Sequence, residues 1–237
     1  AAELALMAAQ SGSPQDRESS AWAYTRLALY EWQLGKSDKA QQGIQAALEL
    51  QNDYAPALLL KGRMLLADNH FTEAIAPLTQ AASLNPLPEY QWTLAEALRG
   101  AGKIEEAVKV EATLTTKGAQ DDPRTLALFL ATRNESSEKA FRLVQTELEA
   151  RADVFTYDAL AWALRATGKM TEAQEAIKKA MAEGTKDARL FFHAGTIAAQ
   201  AGQKAEARQY FKQAYSIRQL LLPSEREELN QQLAATK

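Results

Sequence analysis

Cysteine is absent from the 237 residues. That excludes disulfides and thiolate-bound metal, and it leaves a cytoplasmic and a periplasmic or secreted location equally open. Histidine occurs twice, at His70 and His193, in regions far apart along the chain. Neither has a ligand-spaced companion, so no metal site and no cofactor is expected. His70 reads as a solvated turn residue. A phosphate-binding glycine loop, an HExxH helix and a GxSxG elbow are all missing. Paired acids do occur, at Glu105–Glu106 and Glu227–Glu228, but they fall near helix starts, where the helix dipole favours negative charge. With no catalytic constellation, the chain is not expected to be an enzyme. No apolar run approaches the ~18 residues of a membrane helix. The net charge of −3 offers no concentrated basic face for nucleic acid. Sustained alternation and Asn-Gly hairpin turns are missing as well, which removes the signals for strands.

What the sequence does have is a period. The phrase GKMTEA at 168–173 has relatives at 35–40 (GKSDKA), 69–74 (NHFTEA), 102–107 (GKIEEA), 135–140 (ESSEKA) and 202–207 (GQKAEA). Their closing alanines are Ala40, Ala74, Ala107, Ala140, Ala173 and Ala207, spaced by 34, 33, 33, 33 and 34 residues. Each unit reads as about a dozen helix-forming residues, a turn residue, and a second amphipathic helix. The turn residues are Gly35, Asn69, Gly102, Glu135, Gly168 and Gly202, where a helix C-cap needs positive φ. Asp122–Pro123 pairs a capping residue with proline at the first helical position. Thr72, Ser137 and Thr171 stand where N-caps belong. Asn85–Pro86 and Leu87–Pro88 close the second unit. At the N-terminus, Ala1–Gln10 reads as a helix, ended by Ser11–Gly12, with Ser13 and Pro14 opening the next. At the C-terminus, Ser224 and Glu227 read as a capping box on a polar helix that shields the last repeat. The chain begins at Ala1 rather than Met, which suggests a processed or trimmed product.

These units resemble the tetratricopeptide repeat family, bacterial members included. The family builds helix–turn–helix units of about 34 residues with small residues where helices cross. Here those residues are Ala28, Gly62, Ala95, Ala161 and Gly195 on first helices, and the six closing alanines with Ala47, Ala81, Ala180 and Ala214 on second helices. The resemblance implies an all-α fold: a right-handed α-solenoid of about six stacked pairs in one domain over 1–237. The expected parts are an N-terminal helix at 1–12, repeats at 14–54, 55–87, 88–120, 121–153, 154–187 and 188–222, and a C-terminal cap at 223–237. Unit four departs from the pattern, with Leu128 at the small position and Glu135 at the glycine, so its first helix is expected to be short or rotated. Some relatives hold a peptide's terminal carboxylate with Lys, Asn and Arg. The corresponding places here hold Thr25, Leu29, Leu60, Glu89 and Thr93, so that clamp is missing.

In the family, first helices line the concave side of the array. Helical spacing then defines one groove-facing stripe per first helix. It carries Trp22, Arg26, Leu29 and Trp32 in unit one; Leu59 and Arg63 in unit two; Trp92, Glu96 and Arg99 in unit three; and Phe129 with Arg133 in unit four. Unit five contributes Phe155, Asp158, Trp162 and Arg165, and unit six Arg189, Phe192 and His193. All four tryptophans fall on this stripe, together with six arginines. Tryptophan and arginine are the residues most enriched among interface hot spots. The resemblance therefore implies a non-catalytic scaffold whose groove takes an apolar, somewhat acidic protein segment. Two other readings remain. The array is a structural or regulatory segment of a larger enzyme or cell-envelope assembly, or the indoles are internal packing.

Overall fold

The computed structural model describes Ala5, Met7 and residues 16–236. Among these residues there are thirteen α-helices and no strand. They are α1 (Arg17–Gln33), α2 (Ser37–Leu50), α3 (Ala55–Ala67), α4 (Phe71–Leu84), α5 (Pro88–Gly100), α6 (Ile104–Asp121) and α7 (Pro123–Thr132). Then come α8 (Ser137–Ala150), α9 (Val154–Ala166), α10 (Met170–Met181), α11 (Ala188–Gln200), α12 (Lys204–Ser216) and α13 (Pro223–Ala235), with a 3₁₀ turn at Arg218–Leu220. Apart from Ala5 and Met7, the expected helix at 1–12 lies outside the described residues, as does the Ser13–Pro14 start. The chain forms two compact units, residues 1–111 and 112–237, and α6 carries the boundary.

In the first unit α1 pairs with α2 and α3 with α4, and α5 packs on both members of the second pair. Its core gathers Leu58, Leu59, Leu66, Leu78, Leu94 and Leu98. Close helix approach explains the glycine at 62. A Cβ there would lie 2.3 Å from the Leu78 side chain, which is itself fully buried. Leu78 contributes on the order of 1.5–3 kcal/mol by burial, and a larger residue at 62 would force the α3–α4 crossing apart. In the second unit α7 pairs with α8, α9 with α10, and α11 with α12. Gly195 plays the same part there, since a Cβ would meet Phe211 at 2.5 Å.

Six turns inside the helix pairs close in one way. The backbone N–H of Lys36, His70, Lys103, Glu135, Lys169 and Gln203 donates to the carbonyl five residues earlier, at Glu31, Leu65, Leu98, Leu130, Leu164 and Ala198. This is the Schellman closure, which needs one residue of positive φ. Gly168 supplies it at φ 79°, and Asn69 does so at φ 62° where glycine is replaced. Unit four is built differently. Asn134 and Ser136 both take positive φ, at 52° and 55°, and α7 has ten residues against thirteen in α3, α5, α9 and α11.

Several helix starts differ by a residue or two from expectation. The N-caps of α4, α8 and α10 are His70, Ser136 and Lys169, each ahead of the expected Thr72, Ser137 and Thr171. These positive-φ turns bring the chain straight into the next helix, so Thr72, Ser137 and Thr171 are already inside the first turn. Helix α1 starts after Asp16, whose carboxylate accepts from the Ser19 N–H. Asp122 caps α7 as expected, with Pro123 at the first helical position. The C-terminal helix starts at Pro223, not at Ser224. Its capping acid is Glu225, which accepts from the Leu222 N–H at 2.8 Å.

Candidate functional site

First helices lie beside one another within each unit, α1 next to α3 and α3 next to α5 in the first, α7 next to α9 and α9 next to α11 in the second. A side chain on the shared stripe is therefore either covered by the neighbouring first helix or left open. The structure divides the predicted residues between these fates.

In the first unit Trp22 is 55% exposed. Arg26 and Leu29 are half-buried one and two turns on, and the Arg26 Nη2 donates to the Tyr30 hydroxyl at 3.1 Å. Trp32, Trp92 and Leu59 are buried. Arg63 meets Glu89 across α3 and α5 at 3.3 Å, with Glu96 half-buried nearby on α5. Arg99 grips Glu111 of α6 with two hydrogen bonds, of 2.7 and 2.6 Å, a bidentate geometry suited to guanidinium.

The second unit encloses a polar and aromatic stack around Trp162, which is 1% exposed. The His193 ring lies 3.8 Å from the indole centre at an interplanar angle of 14°. The Arg165 Cζ lies 3.9 Å over the same ring. Two groups at that distance cannot share one face, so the indole is sandwiched between imidazole and guanidinium. Its Nε1–H donates to the Thr132 hydroxyl at 2.9 Å, and Arg165 Nη2 reaches the Ala131 carbonyl at 3.4 Å. Both contacts fall in the last turn of α7, where the helix dipole favours a cation. Trp162 and Arg165 thus tie α9 to the shortened helix of unit four. Burial draws the Arg165 guanidinium below its ordinary value, with Glu228 acting against that.

His193 is fully buried, and its Nδ1 lies 2.9 Å from Asp158 Oδ1. A carboxylate accepts, so Nδ1 carries a proton. Nε2 has no partner among the described residues. Phe192 is fully buried against Trp162, at 5.8 Å between ring centres, and Phe129 is buried under Arg133. Phe155 is 44% exposed, with Arg124 over its ring at 5.8 Å. Arg189 binds Glu225 through both Nε and Nη2. Burial pushes the Glu225 carboxyl up, but Arg189 and the Leu222 N–H together hold it below its usual range.

Thus the expectation of four exposed indoles is corrected for three of them. Trp32, Trp92 and Trp162 are buried, and Trp162 is enclosed by side chains of α7 and α11. Asp158, Phe129, Phe192, His193 and Leu59 are covered too, and serve packing. Trp22 and Phe155 stay open, and Arg26, Leu29, Arg63, Glu96, Arg99, Arg165 and Arg189 are partly so. Sequence reasoning missed Thr132 and Glu225 as members of this arrangement. Pro223 at a helix start was the signal for Glu225, since an acid two places later is positioned to cap.

Residues 25–87, 59–122 and 159–219 match the family model for the tetratricopeptide repeat, well over half of the chain. The chain belongs to the tetratricopeptide repeat family. No curated protein matches the sequence. This tetratricopeptide repeat protein is similar in structure to one of the same family from Parabacteroides merdae, at 17% identity and a TM-score of 0.55, covering 92% of this chain and 85% of that one. It is also similar to a chain of the APC/C hetero-tetramer Cut9–Hcn1, at 15% identity and a TM-score of 0.57, and to the human IFIT1 dimer with m7Gppp-AAAA, at 16% and 0.59. It covers 99% and 93% of its own length in those two matches and spans 46% and 53% of theirs. At such identities the likeness speaks for the fold alone. No helix among the described residues is long and apolar enough to cross a membrane.

Proposed function

We propose that this tetratricopeptide repeat protein is a non-catalytic scaffold that docks a segment of another protein on the inner stripe of its first helices. Tetratricopeptide repeats generally mediate protein–protein interactions, and the finer reading rests on one observation. Among the described first-helix residues, Trp22 and Phe155 alone are large apolar side chains left exposed. Both occupy the same place in the repeat register, 13 residues before the turn glycines Gly35 and Gly168. Each has an arginine near it, Arg26 one turn along α1 and Arg124 over the Phe155 ring. An aromatic anchor beside a cation suits an apolar segment bearing acidic residues.

The test is capture by wild type, Trp22→Ala/Phe155→Ala and Trp162→Ala side by side, each with its melting temperature. The double surface variant is expected to melt with wild type and lose capture. Capture by that variant at wild-type level would remove the docking role. A second reading, a structural segment of a larger assembly, draws support from the burial of Trp32, Trp92 and Trp162. It predicts no capture of any separate partner by wild type.

A further inference from the structure

The second helices differ in the charge they turn to solvent. On α2, exposed Asp38 and Glu49 outnumber Lys39, and on α8, exposed Glu138 and Glu149 outnumber Arg142. On α10, Glu172 and Glu175 balance Lys178 and Lys179. Helix α12 reverses this. It carries Lys204, Arg208 and Lys212 against Glu206 alone, in a chain of net charge −3. All three cations are exposed, and none has a hydrogen-bond or ion-pair partner among the described residues. Burial, with the Glu206 carboxylate one turn before it, pushes the Tyr210 hydroxyl above its ordinary value.

The three cations stand at every fourth residue, about 6 Å apart along the axis, in a row roughly 12 Å long. The row continues to Tyr215, 42% exposed, over which Arg218 stacks at 4.1 Å. A shallow open cleft along this face is lined by Ala205, Arg208, Gln209, Lys212, Gln213 and Ser216. The apolar side of α12 is committed elsewhere: Ala207, Phe211 and Ala214 are fully buried.

We propose that this outward face of α12 docks an acidic helical segment of a partner protein. The site is separate from the inner stripe of the first helices. A partner helix repeats side chains at the same spacing, so carboxylates at every fourth position meet Lys204, Arg208 and Lys212 in register, as oppositely charged rows do between paired helices. The Tyr215–Arg218 platform then receives an apolar side chain at the end of that row. A lipid surface fits less well, because the helix has no apolar side free to enter one. Nucleic acid fits less well too, because three cations on one helix are not a concentrated basic face.

Two labelled peptides test this against the full chain by fluorescence anisotropy. One is a helix with Glu at every fourth position over three turns and Leu one turn beyond. The other has the same composition with the Glu residues distributed around the helix. The register-matched peptide is expected to bind about ten-fold tighter or better, and to weaken steeply with salt. Lys204→Glu/Arg208→Glu/Lys212→Glu is expected to abolish binding at an unchanged melting temperature, and Tyr215→Ala to weaken it. Equal binding of the two peptides reduces the face to diffuse charge and overturns the proposal. So does binding retained by the triple variant, or no binding of the matched peptide. Phosphatidylserine vesicles and single-stranded DNA form the remaining arms. If wild type holds either one and not the peptide, and the triple variant releases it, the partner class is wrong.

Discussion

The two compact units use the same stripe of their first helices in opposite ways. In the first, its charges meet near solvent: Arg63 and Glu89 pair with side chains 23% and 52% exposed. In the second, Asp158 meets His193 at 5% and 1%, and the Glu225 carboxylate meets Arg189 at 1% exposure. An exposed pair contributes about 0–1 kcal/mol, whereas a buried charge left without its partner costs about 3–5 kcal/mol. Charge on the first-helix stripe is thus nearly neutral for stability in one unit and decisive in the other. What differs is whether a neighbouring helix covers it.

The largest separation is expected at tryptophan. Trp162→Ala removes a fully enclosed ring, its hydrogen bond to Thr132 and its contacts with His193 and Arg165. A loss of about 3–5 kcal/mol is expected, as for large aromatic truncations in cores. Urea unfolding, followed by hydrogen exchange in α9 and α11, reads it. A loss below about 1 kcal/mol would mean that the indole is not part of the packing.

Next comes the buried polar pair. His193→Leu leaves the Asp158 carboxylate inside without its donor, a cost of about 3–5 kcal/mol. Asp158→Leu/His193→Leu removes both groups and is expected to recover much of that loss, because no unpaired charge remains. A double variant no better than the single one would show that the pair's shape matters more than its charge.

Much of this fold was legible in the chain. The 33- and 34-residue spacings marked every turn, and the six closures coincide with them. Gly62 and Gly195 announced helix crossings, because only a missing Cβ admits Leu78 or Phe211 so near. Leu128 and Glu135 flagged the irregular unit, and α7 is indeed short. The indoles were harder. Helical periodicity says which side of its own helix a residue occupies, not whether another helix lies over that side. Trp162, Trp92 and Phe155 share one stripe by spacing, yet Phe155 stands at the start of α9, where cover ends, and Trp162 two turns further in, where it does not. Glu225 escaped for a local reason, since Ser224 and Glu227 mimic a capping box two residues out of phase.

A pH contrast sharpens the comparison further. Glu225 is held below its usual carboxylate range in the folded state. Its contribution is therefore complete above the unfolded pKa and is lost as pH falls through the depressed folded value. Hydrogen-exchange protection of α13 is expected to fall below about pH 4, ahead of α9 and α10, and Glu225→Gln is expected to remove that selective acid response. If α13 and α9 lose protection together in wild type, the ion pair does not hold the last helix.

The smallest stability effect belongs to the residue proposed to matter most for docking. Trp22→Ala deletes a ring that is more than half exposed. It opens no cavity and strands no polar group, so the change in stability is expected within about 0.5 kcal/mol. An anchor that a partner buries gives the opposite pattern in binding, a loss of about 2 kcal/mol or more, or some thirty-fold in affinity. Trp22→Phe is expected to keep part of that affinity, since a smaller ring still fills the partner's pocket, whereas Trp22→Lys is expected to abolish it. A stability loss of several kcal/mol in Trp22→Ala would place the ring under cover and leave Phe155 as the exposed anchor of the inner stripe. A partner held equally well by all three variants would instead show that α1 takes no part in docking.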